Sequence, residues 1–364
     1  MANLVGLRGP SPTPRELGFR MPAEWEPQES VWLVWPRDPL TWPDRVDGAR
    51  STFLQAMRAV TPHQRVDLVV HPDLLADAQA KVADAAVKNV RFHPVDHQDS
   101  WIRDYGPIYL VRENTTGTGA RRERAAVRFD FNAWGNKYEA LLKDRDVVPQ
   151  LGDQVMAPLL EVDMVLEGGS IDVDGQGTVL TTEQCLLDRN RNPTMSRTDI
   201  EVHLLEYLGA KKVLWLGRGI EGDDTDGHVD DITRFVGHGL VVTCVEEDRS
   251  HPNFQPLDEN LDRLRNMVDA RGRHLRVVEL PMPKDQPGDE GPLPASHANF
   301  LITDGAVLMP TFGGDSDAIA HARLQQCFKD RPVVDLDCRD LVWGMGAIHC
   351  LSQQVPVGRP AQLV

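Results

Sequence analysis

Four stretches of this sequence place acids, histidine or cysteine among glycines and beside apolar runs, where side chains can do chemistry instead of filling a core. They are DSWIRDYGP (99–107), LEGGSIDVDGQGT (166–178), GDDTDGHVDDITRF (222–235) and WGMGAIHCLSQQVP (343–356). Any one of them is equally compatible with a turn or loop of solvated side chains. Their combination in one chain favours a functional site with a thiol, an imidazole and several carboxylates.

The candidate nucleophile is Cys350, which follows GMGAIH. Gly344 and Gly346 allow a close backbone approach or a positive φ, and so predict a loop that presents an exposed thiol. A buried, inert thiol is the alternative. Cys244 and Cys327 lie in apolar strand and helix patterns, which predict core positions. Cys185 and Cys338 carry no functional signal.

The candidate acid/base is His228, because it lies between two acids in TDGHVDD. If this segment is a strand, Asp226, His228 and Asp230 share one polar face. The alternative is a hairpin turn at Asp226–Gly227 that leaves the histidine on the surface.

Two further carboxylates are placed for chemistry. Asp104 precedes a Gly–Pro turn, where it could instead be the partner of the adjacent Arg103. Glu167 ends an apolar run and opens into Gly168–Gly169. From there a carboxylate can either cap the turn or orient an imidazole.

Composition predicts a soluble globular protein, since 364 residues with 41% hydrophobic side chains are enough for a sizeable core. Lys and Arg number 39 against 55 Asp and Glu, and the formal charge of −16 disfavours nucleic acids and acidic membranes as partners. A small cationic substrate would be attracted. There is no basic-flanked leader, no run long enough to cross a membrane and no CxxC pair, so we expect a cytoplasmic protein with reduced thiols.

Short apolar runs alternate with helix-like stretches, which predicts an α/β fold with many short strands. Strand-like runs are 31–35, 66–70, 106–111, 125–131, 177–182, 212–216, 239–245, 275–280, 299–303, 306–310 and 332–337; helix-like stretches include 48–60, 73–87, 197–209, 257–272 and 316–328. No GxGxxG or GxxxxGK[ST] loop follows an early strand, which disfavours nucleotide-binding folds. The Pro-, Gly- and acid-rich residues 282–294 predict a surface loop.

Seven segments, spread in order over nearly the whole chain, carry a specific resemblance: FRMPAEWEPQESVWLVWP (19–36), DSWIRDYGP, FNAWG (131–135), LEGGSIDVDGQGTVLTTEQCLLDRNRNP (166–193), TDGHVDD, ASHANFLI (295–302) and AIHCLSQQVP (347–356). They resemble the agmatine deiminase family, a branch of the guanidine-modifying enzymes related to peptidylarginine and arginine deiminases. The resemblance implies a pentein-type fold, a five-bladed α/β propeller of ββαβ units with pseudo-fivefold symmetry and a central active site.

The resemblance also implies a domain plan and a reaction. A single catalytic domain would span 19–358, with an N-terminal extension (1–18) and a C-terminal tail (359–364). It would hydrolyse agmatine to N-carbamoylputrescine and ammonia with no metal and no organic cofactor. The expected partner is a small cationic guanidine, and a homo-oligomer is one of the assemblies that the sequence allows.

Carried over residue by residue, the resemblance implies that Cys350 is the nucleophile, His228 the general acid/base and Glu167 the support of His228. It implies substrate-binding roles for Asp104, Asp230, Trp101 and Asp224. These roles suit the chemistry, because two carboxylates can hydrogen-bond the edges of a planar guanidinium and fix its carbon against a thiolate.

Three positions depart from the family pattern. Asp172 stands where histidine is common, Asp224 where glutamate is common, and His297 with Ala298 where the family has Tyr–Val. We expect these changes near the substrate pocket. They leave the chemical core intact and the chain length of the preferred guanidine open.

Two competing functions remain at this stage. Asp226–Gly–His228–Val–Asp230 fits the DxHxD ligand pattern of manganese ureohydrolases, which release urea. That class needs further metal motifs, of which GGDSDAIAH (313–321) is a faint echo, and it leaves Cys350 without a role. A non-catalytic binder of cationic metabolites could use the same acidic channel.

Overall fold

The computed structural model describes residues 12–114, 121–289 and 291–363, so residues 1–11 of the predicted N-terminal extension lie outside the described part. The strands are β1 (Gln28–Val34), β2 (Arg65–Val70), β3 (Val90–Pro94), β4 (Ile108–Asn114), β5 (Arg121–Asp130), β6 (Leu159–Val165), β7 (Ile171–Val173), β8 (Thr178–Thr182), β9 (Lys212–Leu216), β10 (Thr233–Gly237), β11 (Leu240–Val245), β12 (Arg276–Pro281), β13 (Gln286–Pro287), β14 (Pro292–Leu293), β15 (Leu301–Ile302), β16 (Val307–Thr311), β17 (Val333–Asp337), β18 (Ser352–Pro356) and β19 (Arg359–Pro360). The helices are α1 (Val46–Val60), α2 (Leu75–Asp84), α3 (Ile102–Tyr105), α4 (Ala133–Asn136), α5 (Val147–Leu151), α6 (Glu183–Leu186), α7 (Arg197–Tyr207), α8 (Phe254–Asn266) and α9 (Asp315–Cys327).

Five of the sheets share one strand pattern. In each, an antiparallel pair is followed by a strand that lies parallel to the second member of the pair, after a crossover containing helix. These units are β4–β5–β6, β7–β8–β9, β10–β11–β12, β15–β16–β17 and β18–β1–β2. The crossovers follow from physics, because parallel neighbours cannot be joined by a tight turn.

The last of these units joins the two ends of the chain. β18 pairs antiparallel with β1, with Trp32 opposite Gln353. Beyond it, Arg359–Pro360 of the predicted C-terminal tail pair with β5 as the short strand β19. The segment that carries Cys350 is therefore held by β-ladders on its C-terminal side.

Apolar side chains on the strands and on the inner faces of the helices form the core. In α1 the buried residues recur at helical spacing and contact the first hydrophobic cluster: Ala49, Phe53, Ala56, Met57 and Val60. Burying one large side chain such as Phe53 contributes roughly 1.5–3 kcal/mol. The described residues form one α/β domain, which confirms the predicted fold class at this level.

Several local expectations are corrected. Residues 229–231 of TDGHVDD form a 3₁₀ turn and not a strand. The predicted surface loop 282–294 contains the small hairpin β13–β14, and the helix predicted to reach residue 272 ends at Asn266. β6 was missed, although its buried and exposed side chains alternate as a half-buried strand requires.

No helix within the described ranges combines the length and the apolar character that crossing a lipid bilayer requires.

Candidate active site

The site is assembled from five leading segments, by which we mean the residues directly before the first strand of each unit. Each leading segment contributes at least one polar side chain: Asp104 before β4, Glu167 before β7, His228 and Asp230 before β10, Asn299 before β15, and Cys350 before β18. Three of these segments are single helical turns: Ile102–Tyr105, Gly168–Ser170 and Val229–Asp231. Each repeat of the unit therefore delivers at least one functional group to a common place.

The thiol of Cys350 is buried and not exposed as predicted, with only 4% of the residue accessible, yet it lines a cavity. Its Sγ accepts a hydrogen bond from Asn299 Nδ2 at 2.9 Å and lies 3.6 Å from Asp230 Oδ2. The predicted close backbone approach is present, because a Cβ at Gly346 would lie 3.3 Å from Sγ. The positive φ falls on Met345 (73°), between the two glycines.

The electrostatic surroundings of Cys350 favour the neutral thiol. Burial, followed by the negative charges of Asp230, Asp231 and Asp104, raises its pKa well above the ordinary value. A thiolate at this position therefore needs a compensating cation.

His228 is fully buried between two carboxylates, and not a surface residue. Its Nδ1 lies 3.8 Å from Asp104 Oδ1, and its Nε2 lies 3.9 Å from Glu167 Oε2. Among the described residues neither ring nitrogen has a well-aligned hydrogen-bond partner. Although burial lowers the pKa of His228, Asp104, Cys185 and Glu167 together raise it well above its ordinary value. The surrounding acids therefore favour the imidazolium form of His228.

An ion pair with Arg191 holds the Glu167 carboxylate in place. Its Oε1 accepts a hydrogen bond from Arg191 Nε at 3.0 Å, and both side chains are fully buried. The backbone carbonyl of Glu167 accepts a hydrogen bond from Ser170, but its carboxylate makes no capping bond to the glycine turn. Of the two predicted placements, the carboxylate takes the one beside the imidazole. Cys185, which carried no signal in the sequence, lies beside this pair and His228.

Asp104 and Asp230 present two carboxylates to the same space. Asp104 accepts hydrogen bonds from Gly169 N and Trp134 Nε1, each at 3.0 Å. Its pKa is raised to about 7, by burial first and by Asp230 among the neighbouring acids. Arg103, the alternative partner of Asp104, instead donates to the glutamines of β18.

Asp230 differs from Asp104 in its partners. Its Oδ2 accepts a hydrogen bond from His349 Nδ1 at 2.6 Å, whereas Oδ1 is buried with no hydrogen-bond partner in the described parts of the chain. Burial raises the pKa of Asp230, but His349 lowers it below the ordinary value. Asp230 is thus an anion with one oxygen left to receive a donor.

A cavity of about 320 Å³ leads to Cys350 and Asp104. Three indoles, Trp101 as predicted, Trp134 and Trp343, line it together with carboxylates, while no Lys, Arg or His does so within the described ranges. The carboxylates are Asp38, Asp99, Asp104, Glu139 and Asp224. The cavity is therefore suited to a cation with an apolar body.

Asp224 lies at the cavity as predicted, where its Oδ2 accepts a hydrogen bond from the Tyr138 hydroxyl at 2.6 Å. Burial raises its pKa to about 6.

The other two departures from the family pattern lie elsewhere, contrary to expectation. Asp172 pairs with Arg234 (2.8 Å), and His297 pairs with Asp317 (2.8 Å).

The DxHxD pattern is not assembled as a ligand set. Asp226 forms ion pairs with Lys137 and Arg191, away from the shared space of His228 and Asp230. Two other groups bring donor atoms within 4.8 Å of one another: Glu167, Cys185 and His228, and Asp230, Asp231 and Cys350. The first has Arg191 bound to its carboxylate, which opposes a second cation there.

Three site residues pack closely around the backbone of Gly169. A Cβ there would lie 2.6 Å from His228 Nδ1, 2.9 Å from Asp104 Oδ1 and 3.1 Å from Asp230 Oδ2. We expect Gly169→Ala to lower kcat/KM by about 100-fold, because displacements on the order of 1 Å in a reacting set have effects of this size. Steady-state kinetics on the folded variant measures the loss.

Gly237→Ala is the matched control for this substitution. A Cβ at Gly237 meets its nearest neighbour at 3.8 Å, far from the site. Its kcat/KM should equal that of the wild type. Wild-type kinetics in Gly169→Ala would show that the three side chains above it are not the reacting set.

Sequence reasoning missed several residues that complete the site, although most of them lie inside the segments that carry the resemblance: Glu24, Trp134, Arg191, Asn299 and His349. Each is a polar or aromatic residue whose partner is distant in sequence, such as Asn299 with Cys350. The available signal was their position inside those specific segments.

A buried thiol at the end of an acidic cavity, with a histidine and two carboxylates packed around it, is the equipment of a guanidine-modifying enzyme, and comparison with known proteins agrees. The profile of the Porphyromonas-type peptidyl-arginine deiminases matches residues 20–356. The chain belongs to this family.

Relatives of known name match over almost the whole chain. The agmatine deiminase of Pseudomonas aeruginosa (strain LESB58) is 36% identical over 382 residues, covering 98% of this chain and 100% of that protein. The structure of the agmatine deiminase of Enterococcus faecalis matches with a TM-score of 0.88 and 35% identity, over 96% of this chain and 99% of that one. A substrate-bound agmatine deiminase of C. jejuni matches with a TM-score of 0.83 and 31% identity, over 94% and 97%.

Proposed function

We propose that this protein is an agmatine deiminase, which hydrolyses the guanidinium group of agmatine to N-carbamoylputrescine and ammonia through a covalent adduct on Cys350. The observation that carries the proposal is the buried thiol at the end of an acidic cavity, with Asp104, Asp230 and His228 around it. Relatives named agmatine deiminase, similar over nearly their full length, support it.

The two carboxylates bind the guanidinium. Asp230 Oδ1 has no donor among the described residues, and each oxygen of Asp104 accepts a single hydrogen bond, so both acids can receive guanidinium N–H groups. Trp101 and Trp134 line the cavity beside them. Indole faces stabilise a cation and exclude water from it.

Substrate binding activates the nucleophile. In the free site the pKa of Cys350 is well above its ordinary value, because burial first and then three neighbouring acids raise it. An entering guanidinium cancels that field, so the thiol releases its proton to solvent most readily when the electrophilic carbon is in place, and the released ammonia later takes up a proton from solvent. Asn299 Nδ2, 2.9 Å from Sγ, stabilises the thiolate.

His228 then performs two proton transfers. The thiolate adds to the guanidinium carbon, and His228, an imidazolium in the free site, donates a proton to the departing ammonia. The neutral imidazole next removes a proton from water, which attacks the S-alkylthiouronium carbon and releases the ureido product and Cys350. Nδ1, on the Asp104 side, faces the substrate, while Glu167 on the Nε2 side stabilises the cation.

The finer architecture is part of the same proposal. The five sheets that share one strand pattern, each with a leading segment that reaches the site, support a five-bladed propeller in which each unit is a blade. Their common site would then lie on the pseudo-fivefold axis.

Charge selects the substrate. The cavity is lined by five carboxylates, in a chain of net charge −16. The terminal ammonium of agmatine is attracted by this field, while the carboxylate of arginine or guanidinobutyrate is repelled. Asp224 and its partner Tyr138 lie on the cavity wall, where they can meet that ammonium.

One substrate panel tests this function. We expect purified protein to convert agmatine to ammonia and N-carbamoylputrescine at a rate that a metal chelator does not change. We expect kcat/KM to be at least about 100-fold lower for arginine and for guanidinobutyrate, since facing like charges cost several kcal/mol. Products are identified by mass.

The other outcomes separate the competing functions. Urea release, or activity restored by manganese after chelation, would assign a ureohydrolase. Binding of agmatine without turnover would assign a binder. Equal kcat/KM for arginine and agmatine would contradict the charge argument while leaving deimination in place.

A further inference from the structure

Glu24 lies in the EWEP segment, which none of the assigned roles uses, and it is buried. Its Oε2 accepts hydrogen bonds from Arg234 Nη2 at 2.6 Å and from His349 Nε2 at 2.9 Å. Its Oε1 accepts one from the backbone N–H of Ile302 at 2.7 Å. Glu24 thus joins the N-terminal segment to β10, β15 and the leading segment that carries Cys350.

His349 lies between two carboxylates. Its Nε2 faces Glu24 at 2.9 Å, and its Nδ1 faces Asp230 at 2.6 Å. A neutral imidazole has one N–H and can donate to only one of them. Donation to both carboxylates at these distances needs an N–H on each ring nitrogen, which only the doubly protonated ring has.

This cation acts on the group that receives the substrate. Asp230 has Asp231 and Asp104 as acidic neighbours, and Asp231, buried beside it, has a pKa raised well above its ordinary value. The bond to His349 occupies Oδ2 and leaves Oδ1 unpaired among the described residues. Without the cation, a proton would be shared among these acids and the guanidinium would lose its anionic partner.

We propose that Glu24 and His349 are positioning residues, in which Glu24 keeps His349 doubly protonated so that His349 keeps Asp230 anionic, with Oδ1 free of hydrogen bonds from the described residues. Neither side chain lines the cavity. The role as a positioning pair rests on the proposed deiminase function, but the protonation state of His349 does not.

The charged groups around Glu24 and His349 identify Asp172 as the site of a control substitution. Arg234 bonds to Glu24 and, through Nε at 2.8 Å, to Asp172. Arg103 donates to the backbone carbonyl of His349. Asp172 is thus a buried acid on the same arginine as Glu24, yet it has no bond to His349. Asp172→Asn removes the same charge from Arg234 without touching the imidazole.

The test compares Glu24→Gln with Asp172→Asn over a range of pH. Glu24→Gln keeps the shape but removes one of the two anions that hold the proton on His349, so His349 deprotonates at lower pH. We expect its kcat/KM, relative to wild type, to be near unity at acidic pH and to fall about 10- to 100-fold as pH rises. Asp172→Asn should keep a ratio within about threefold that does not depend on pH.

A ¹⁵N–¹H spectrum of the histidine rings of the wild type gives a second, activity-independent measurement. With resonances assigned through the backbone amide of His349, both ring nitrogens should show N–H character from pH 6 to pH 8. In Glu24→Gln the same ring should lose a proton within that range. A singly protonated His349 in the wild type would overturn the proposal, even if Glu24→Gln did not fold.

The kinetic outcomes are equally decisive. If Glu24→Gln has the pH profile of the wild type, or if Asp172→Asn shifts it equally, the pair has no positioning role. If the spectrum shows a doubly protonated ring but the wild type does not deiminate agmatine, the proposed function fails while the protonation of His349 stands.

Discussion

Replacing Cys350 with alanine is expected to abolish the deimination of agmatine, with kcat reduced at least about 10,000-fold. Losses of this order follow when a covalent nucleophile is removed from a set of residues that acts as a unit. The structure gives a specific reason, because Cys350 is the one cysteine of the five that lines the cavity. Ammonia release under substrate saturation measures the effect.

Cys244→Ala is the matched control, since Cys244 is equally buried and bonds to Ser296 in the core at 3.2 Å. It should lower the melting temperature and leave kcat unchanged. Acid quench of the wild type during turnover should trap an adduct on the peptide containing HCLSQQ. More than trace activity in Cys350→Ala, or an adduct on another thiol, would remove Cys350 from its role.

Replacing His228 with glutamine is expected to lower kcat by about 1,000- to 10,000-fold, the usual contribution of a positioned acid and base. Glutamine keeps hydrogen-bonding capacity but can neither protonate ammonia nor deprotonate water. Both halves of the reaction should slow. Rapid-quench measurement of ammonia and of the ureido product separates the two steps.

The control for this substitution is His93→Gln. His93 is also a buried histidine beside a carboxylate, with Nε2 3.0 Å from Asp67 Oδ1, but it lies on β3 outside the cavity. Its loss should reduce stability without changing kcat. If His228→Gln retains kcat within a factor of about ten, another group carries the protons, and the assignment to His228 is wrong.

Much of this protein could be predicted from the sequence because the relevant signals are local. Apolar runs correctly placed most strands, including β1, β2 and β8, since a buried strand needs side chains of one kind over a few residues. The Gly-rich clusters correctly marked where polar groups concentrate. The resemblance then named the reacting residues, and the structure brings Cys350, His228, Asp104 and Asp230 together, while their roles remain predictions.

Burial and partnership were decided by the tertiary structure. Local reasoning predicted an exposed thiol for Cys350 and left a surface position open for His228, but both side chains are buried where the leading segments converge. Asp172 and His297 were expected near the substrate, yet each pairs with a distant residue away from the cavity. A local pattern predicts which side of a strand a residue occupies, but not which segment packs against it.

The extreme case is the pair formed by Glu24 and His349, which are 325 residues apart in the sequence and 2.9 Å apart in the fold. Nothing in the neighbourhood of either residue indicates the other. The two residues meet only because the ends of the chain come together, through the pairing of β18 with β1. The sequence by itself determined the chemical groups and the short elements that carry them. Long-range packing decided which groups became partners, and burial then set their protonation.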